Sequence, residues 1–276
     1  MERISKMIGQ RELLKKIDGQ IGRDKFPKVS ILIGEKGSGK THLAWYISDK
    51  LKHGFNMNSD DTEVMNIYKI YRKVSLQLPV IYVFCKCDSM SKDSMSLIRK
   101  MIEDIPENAY IILTCETLDN IPVEIKNKAV TYMLEPYSYE DKCDYIESLD
   151  RDIPEEDVEY ILEVASNIGD IKELLNIDLA DFRKFVIESL GYILKDDNPL
   201  RIADKIALNN ENDKIPLSLF LKAFNALCAN QMDKNPLLYC KFMAVTGEVL
   251  QSISTVDHTK LFETWMEVIE KERVLQ

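Results

Sequence analysis

The stretch from Gly34 to Thr41, GEKGSGKT, fits G-x-x-x-x-G-K-[ST] without a mismatch. It lies between "KVSILIG", which reads as a short buried strand from Val29 to Ile33, and "KTHLAWYISDKL", which reads as a helix. No other feature restricts the possible folds as much. Glycines let backbone N–H groups turn inward around a phosphate, and the helix start adds the positive end of its dipole. In such a loop the lysine, here Lys40, reaches the β- and γ-phosphates. The next hydroxyl, here Thr41, ligates Mg²⁺ through the nucleotide. Gly34, Glu35, Lys36, Gly37, Ser38, Gly39, Lys40 and Thr41 are therefore the expected nucleotide-binding residues.

The rest of the first half supports an α/β fold. "PVIYVFC" reads as a second strand, Val80 to Cys85, "AYIILTC" as a third, and "AVTYML", ending before Pro136, as a fourth. "HGFNMN" is a weaker strand candidate. "QRELLKKIDGQI", "NIYKIYRKVSLQ" and "KDSMSLIRKMIED" read as helices between them. Strands alternating with helices predict a parallel sheet covered on both faces. After Pro136 no strand stands out. Ser138, followed by Glu140 and Asp141, marks a helix start. Val158, Ile161, Leu162 and Ala165 share one helix face, with a stop expected at Gly169. Leu217, Phe220, Leu221, Phe224, Leu227 and Cys228 form a broad apolar stripe, as do Leu261, Trp265, Val268 and Ile269. Such stripes usually mean core packing, or else a helix face against another subunit. The expected divisions are 1–137 for the nucleotide-binding α/β domain, 138–185 for a small helical domain and 186–276 for a helical C-terminal domain.

The net charge is −10, so the chain gains no global counterion-release affinity for DNA. Any contact with nucleic acid needs a local basic face. The six cysteines show no C-x-x-C pair, which argues against zinc and for buried, reduced thiols. The start "MERISKMIGQ" lacks the apolar run of a signal peptide, and the longest apolar stretches are strand-length. A cytoplasmic location without membrane contact is the expectation.

The order of these pieces resembles a clamp-loader subunit of the AAA+ class, most like the delta-prime and small-subunit branch of DNA polymerase clamp loaders, DNA polymerase III included. The resemblance covers most of residues 1–190. "MIGQREL" is similar to the family's opening motif, whose backbone lies against adenine, which implies that Ile8 and Gly9 contact the base. "IYVFCKCDSMSKDSMSLIRKMIED" is similar to its strand, acidic box and following helix. "IILTCETLDNIPVEIKNKAV" is similar to its sensor strand and the segment ending in a Ser-Arg-Cys arginine finger. "GDIKELLN" matches the lid motif whose basic residue touches the γ-phosphate, which places Lys172 there. The resemblance makes 138–185 a lid and 186–276 a collar-like domain. It implies ATP or ADP as ligand, with Mg²⁺, and other clamp-loader subunits, a sliding clamp and primer-template DNA as partners through the assembly.

The departures from the family pattern concern hydrolysis. Its Asp-Glu-x-Asp box corresponds here to Cys85-Lys86-Cys87-Asp88. A neutral cysteine is a poor ligand for a hard ion, and a charged lysine cannot accept a proton from water. Asp88 matches the outer acidic position, where a turn or cap role is the simpler expectation. The polar sensor falls near Glu116, which would repel phosphate, and the Ser-Arg pair falls at Asn127-Lys128. Lysine keeps the charge but loses the bidentate fork. The expectation is nucleotide binding with little or no hydrolysis. An active ATPase of the same fold, and a scaffold that binds no nucleotide, are the alternatives. Lys69, Arg72 and Lys73 share a helix face, and Arg99 and Lys100 follow the degenerate box. The resemblance implies that these face DNA; a solvated charged surface is the plainer reading.

Overall fold

The computed structural model describes residues 7–58, 69, 79–195, 206–207, 215–253 and 257–274. It divides into two compact units, one comprising residues 1–150 with 167–169, the other 151–166 with 170–276.

The first unit contains α1 (Arg11–Ile21), β1 (Val29–Ile33), α2 (Lys40–Leu51), β2 (Gly54–Asn58), β3 (Val80–Phe84), α3 (Lys92–Glu103), β4 (Ala109–Cys115), α4 (Val123–Lys128), β5 (Val130–Met133) and α5 (Tyr139–Glu147). The five strands form one parallel sheet in the order β2-β3-β4-β1-β5. The segment "HGFNMN", the weaker strand candidate, is β2, paired in register with β3 from Gly54↔Val80 to Asn58↔Phe84.

The period-two alternation of the strands sorts side chains onto two faces. On one face Val29, Ile31, Ile33, Tyr82, Phe84, Ile111 and Leu113 pack with Met95, Ile98 and Met101 of α3 and Ile125 of α4. On the other, Leu32, Ile81, Val83 and Ile112 pack with Ile17 of α1 and Leu43, Ala44 and Ile47 of α2. β1 and β4 are buried along their whole length, as a sheet covered on both sides requires. Ser91 caps α3 by accepting from Ser94 N–H, and Ser138 with Asp141 forms a complete capping box on α5.

The second unit is built of α6 (Glu155–Val164), most of α7 (Ile168–Leu174), α8 (Leu179–Lys195), α9 (Leu217–Asn230), α10 (Pro236–Ser252) and α11 (His258–Val274). Ile161, Leu162 and Ala165 are buried as the periodicity predicts, but α6 already ends at Val164 and Gly169 lies inside α7. A short parallel ladder also joins β6 (Ile206–Ala207) to β7 (Ile215–Pro216). Two-residue strands carry too few alternations to be seen in a sequence.

Phe220 and Phe224 of α9 meet Trp265 of α11 edge-on, at centroid distances of 5.7 and 5.1 Å. The fully buried indole N–H donates to Thr246 Oγ1 of α10 at 2.9 Å, so its one polar atom is paired. The stripes of α9 and α11 are thus core. Within the same unit, Asp170 accepts from Ser166 N–H at 2.8 Å and pairs with Lys222 at 2.6 Å. No described helix is long and apolar enough to cross a membrane.

Candidate functional site

The glycine-rich loop joins β1 to α2 at the carboxyl end of the sheet, the end at which open α/β sheets bind ligands. Gly37 and Gly39 have φ of +84° and +92°, in the left-handed region where a side chain is strained. At Gly39 a Cβ would come within 2.6 Å of the Tyr137 hydroxyl, and at Gly37 it would meet Asn167 Oδ1. Gly39 opens α2, and its carbonyl accepts from Leu43 N–H at 2.8 Å. Thr41 lies half-buried in the first turn of α2. Ser38 is buried and its Oγ is without a hydrogen-bond partner. An orphaned buried hydroxyl within a glycine-rich loop fits an acceptor-rich ligand such as a phosphate.

Lys40 folds back over the loop and donates to Gly34 O at 2.6 Å and Glu35 O at 2.8 Å. Burial lowers its pKa. Glu116, then Asp88, oppose that shift by favouring the ammonium. Lys40 Nζ is therefore partly desolvated and held by carbonyls that a phosphate could replace.

The opening motif borders this loop. Gly9 has φ +68°, and a Cβ there would come within 3.2 Å of Asp141 and Tyr137. The Gln10 carboxamide makes a two-way clasp with the Glu135 backbone, donating to its carbonyl at 2.6 Å and accepting from its N–H at 3.0 Å. Ile8 is half-buried beside Gly9.

Two contacts were not visible in the sequence. Tyr137 lies against Gly9, and its hydroxyl donates to Ser38 O at 2.9 Å, so one ring links the opening motif to the loop. Burial pushes its phenol up to about 12, and Asp141 adds to the shift. Asn167 donates from Nδ2 to Lys36 O at 3.0 Å, and Gly169 lies so close that a Cβ there would be 2.7 Å from Gly37 Cα. The sequence signal was only a Pro-Tyr after a strand and an Asn two residues before a Gly.

In the segment Cys85-Lys86-Cys87-Asp88, Cys85 and Cys87 are buried and Lys86 is exposed with φ +54°. Cys87 donates its thiol to Phe84 O at 3.2 Å, and burial raises its pKa well above the usual range. A thiol kept protonated is no ligand for a hard cation. Asp88 Oδ2 accepts from Glu116 N–H at 2.8 Å and Thr117 N–H at 3.2 Å, while Asn120 donates to Asp88 O at 2.9 Å. Asp88 therefore ties off the end of β4, the turn role the sequence suggested.

The remaining candidates belong to other elements. Lys172 is in α7, within the second unit. Asn127 and Lys128 end α4 and are exposed. Arg99, half-buried, and Lys100, exposed, lie on α3. Lys69 is helical and exposed, whereas Arg72 and Lys73 fall outside the described residues.

No family model matches the chain. The chain is 29% identical over 98 residues to DNA polymerase III subunit gamma/tau of Mycoplasma genitalium, covering 36% of this chain and 16% of that protein. It is 21% identical over 192 residues to replication factor C subunit 5 of Mus musculus, covering 63% and 56%. The chain is thus similar to clamp-loader AAA+ subunits. The solved structures agree on the fold. A DNA polymerase III gamma subunit-related protein of Thermotoga maritima superposes with a TM-score of 0.55 at 12% identity, covering 96% of this chain and 100% of that one. The RuvB Holliday junction branch migration motor of Thermotoga maritima gives 0.54 at 16%, covering 93% and 88%. The AAA+ fold, with its helical C-terminal part, is thus shared with a polymerase gamma subunit-related protein and with a branch migration motor alike. The chain spans well under two thirds of either curated relative.

Proposed function

We propose that this chain is a nucleotide-binding subunit of a clamp-loader-like assembly in DNA replication. It grips ATP or ADP and hydrolyses it slowly or not at all. The observation that carries the reading is the loop itself: two left-handed glycines, an orphaned Ser38 hydroxyl and a retracted Lys40 at the carboxyl end of a parallel sheet. In this reading Ile8 and Gly9 flank the base, residues 34–41 hold the phosphates, Thr41 reaches Mg²⁺ and Lys172 approaches the γ-phosphate. When bound, Mg²⁺ would neutralise phosphate charge. The likeness to gamma/tau and replication factor C proteins supports clamp-loader partners. In this reading those partners include a sliding clamp and, through the assembly, primer-template DNA, and the location is the cytoplasm. Residues 1–137, 138–185 and 186–276 serve as nucleotide-binding, lid and collar-like parts. Lys69, Arg72, Lys73, Arg99 and Lys100 are candidates for the DNA-facing side.

Slow hydrolysis follows from chemistry at the degenerate box. Cys85 and Lys86 supply neither a hard ligand nor a general base, and such losses typically cost orders of magnitude in rate. The test pairs equilibrium binding of a labelled adenine nucleotide with steady-state turnover in Mg²⁺. We expect saturable binding that Lys40→Ala abolishes, and turnover well below about 1 s⁻¹, the lower end of ordinary enzyme rates. Lys40-dependent turnover above that rate, alone or with partner subunits, would show an active ATPase. Absence of binding would leave a scaffold.

A further inference from the structure

Beside the glycine-rich loop, the carboxyl end of β4 leads into a carboxylate, Glu116. β1 and β4 are parallel neighbours with Ile33 opposite Cys115, and Gly34 N–H donates to Cys115 O at 3.3 Å. The next residue on each strand is therefore the first glycine of the loop and Glu116. The backbone of Glu116 is not free to drift, because Asp88 Oδ2 accepts from its N–H at 2.8 Å and from that of Thr117 at 3.2 Å. Above this strand end lies the Lys40 ammonium, drawn onto Gly34 O and Glu35 O.

The charges around Lys40 follow the same order. Of the groups acting on it, Glu116 has the strongest Coulombic influence and Asp88 the next. Lys126 of α4 is felt at Cys115, but more weakly than Asp88, Lys40 or Glu116. The cation that should serve the β- and γ-phosphates thus already has an acid for company. A diphosphate brings only its β-phosphate to Lys40. A triphosphate brings additional negative charge toward the same ammonium and so toward Glu116.

We propose that Glu116 biases this cradle toward nucleoside diphosphates over triphosphates. The inference rests on the nucleotide-binding reading and assigns its ligand. Glu116 acts as a built-in competitor for the place of the terminal phosphate, and Asp88 positions it through the backbone. Repulsion between like charges across a partly buried site supports a discrimination of about tenfold.

Calorimetric titration of the full chain with MgADP and with MgATP tests this, on wild type and on Glu116→Gln. The wild type should bind ADP about tenfold more tightly than ATP. Glu116→Gln keeps the backbone N–H that Asp88 accepts. It should tighten ATP about tenfold while moving ADP less than about twofold. ATP binding as tight as ADP in the wild type would overturn the inference, and so would a variant that shifts both nucleotides equally. In either case nucleotide binding itself would stand. If neither nucleotide bound, the nucleotide-binding reading would fall as well. Should Glu116→Gln fail to fold, the wild-type ratio alone decides.

Discussion

At Gly39 the loop has room for a hydrogen and nothing larger. Its φ is +92°, and the Tyr137 hydroxyl stands 2.6 Å from where a methyl group would go. Gly39→Ala therefore meets both backbone strain and a clash. We expect it to lower nucleotide affinity by at least about tenfold, read by titration, with a drop of about 1–3 kcal/mol in stability. The cysteines give a second test at this scale. Cys85, Cys87, Cys115 and Cys228 are buried, Cys143 is partly exposed and Cys240 is exposed. An aromatic disulfide reagent should titrate Cys143 and Cys240 rapidly in the native protein and all six thiols in denaturant, because reaction needs an accessible thiolate. Rapid native labelling of Cys85 would mean that the segment after β3 is open to solvent.

Among the elements, α9, α10 and α11 are held by one aromatic centre. Trp265 is fully buried, meets Phe220 and Phe224 edge-on and donates to Thr246 Oγ1. Trp265→Ala should cost about 3–5 kcal/mol, the usual range for emptying a large aromatic site. Thr246→Val keeps the shape but leaves the indole N–H unpaired, and should cost about 1–3 kcal/mol. Chemical denaturation of the two variants reads the difference. A neutral Thr246→Val would show that the hydrogen bond contributes little there. In the sheet, β1 and β4 are sandwiched and buried throughout, whereas β5 is an edge strand with Val130 and Met133 exposed.

For the whole molecule, buried acids set the alkaline limit. Burial raises Cys115 and Cys228 from 9.0 to about 12, and Tyr132, Tyr137 and Tyr160 from 10.0 to about 12. Each is favoured in its protonated form by folding. The associated stability is intact below the unfolded value and is lost as pH rises toward the folded one. Lys40, with its pKa lowered by burial, acts in the opposite sense, but as one group against several. Melting temperature should therefore fall progressively between pH 9 and 12, starting from the thiols. A melt flat to pH 11 would show that these groups ionise freely in the native state.

Local pattern alone determined the strand-loop-helix unit, the four stronger strands and the apolar stripes of α9 and α11, because each depends on residues a few positions apart. The absence of an acid at Cys85 and Lys86 was equally legible, since a missing carboxylate needs no coordinates to be missed. β2 was faint, for "HGFNMN" mixes polar residues into a strand whose pairing with β3 supplies what its composition lacks. Distance in sequence hid the rest. Tyr137 reaches Ser38 across 99 positions, Asn167 reaches Lys36 across 131, and Asp88 holds Glu116 across 28. Only the parallel sheet, by laying the ends of β1, β3 and β4 side by side, brings an acid from one strand up to the lysine that follows another. Hydrogen bonds and charges act through space, and the chain sets that space only when its strands pair.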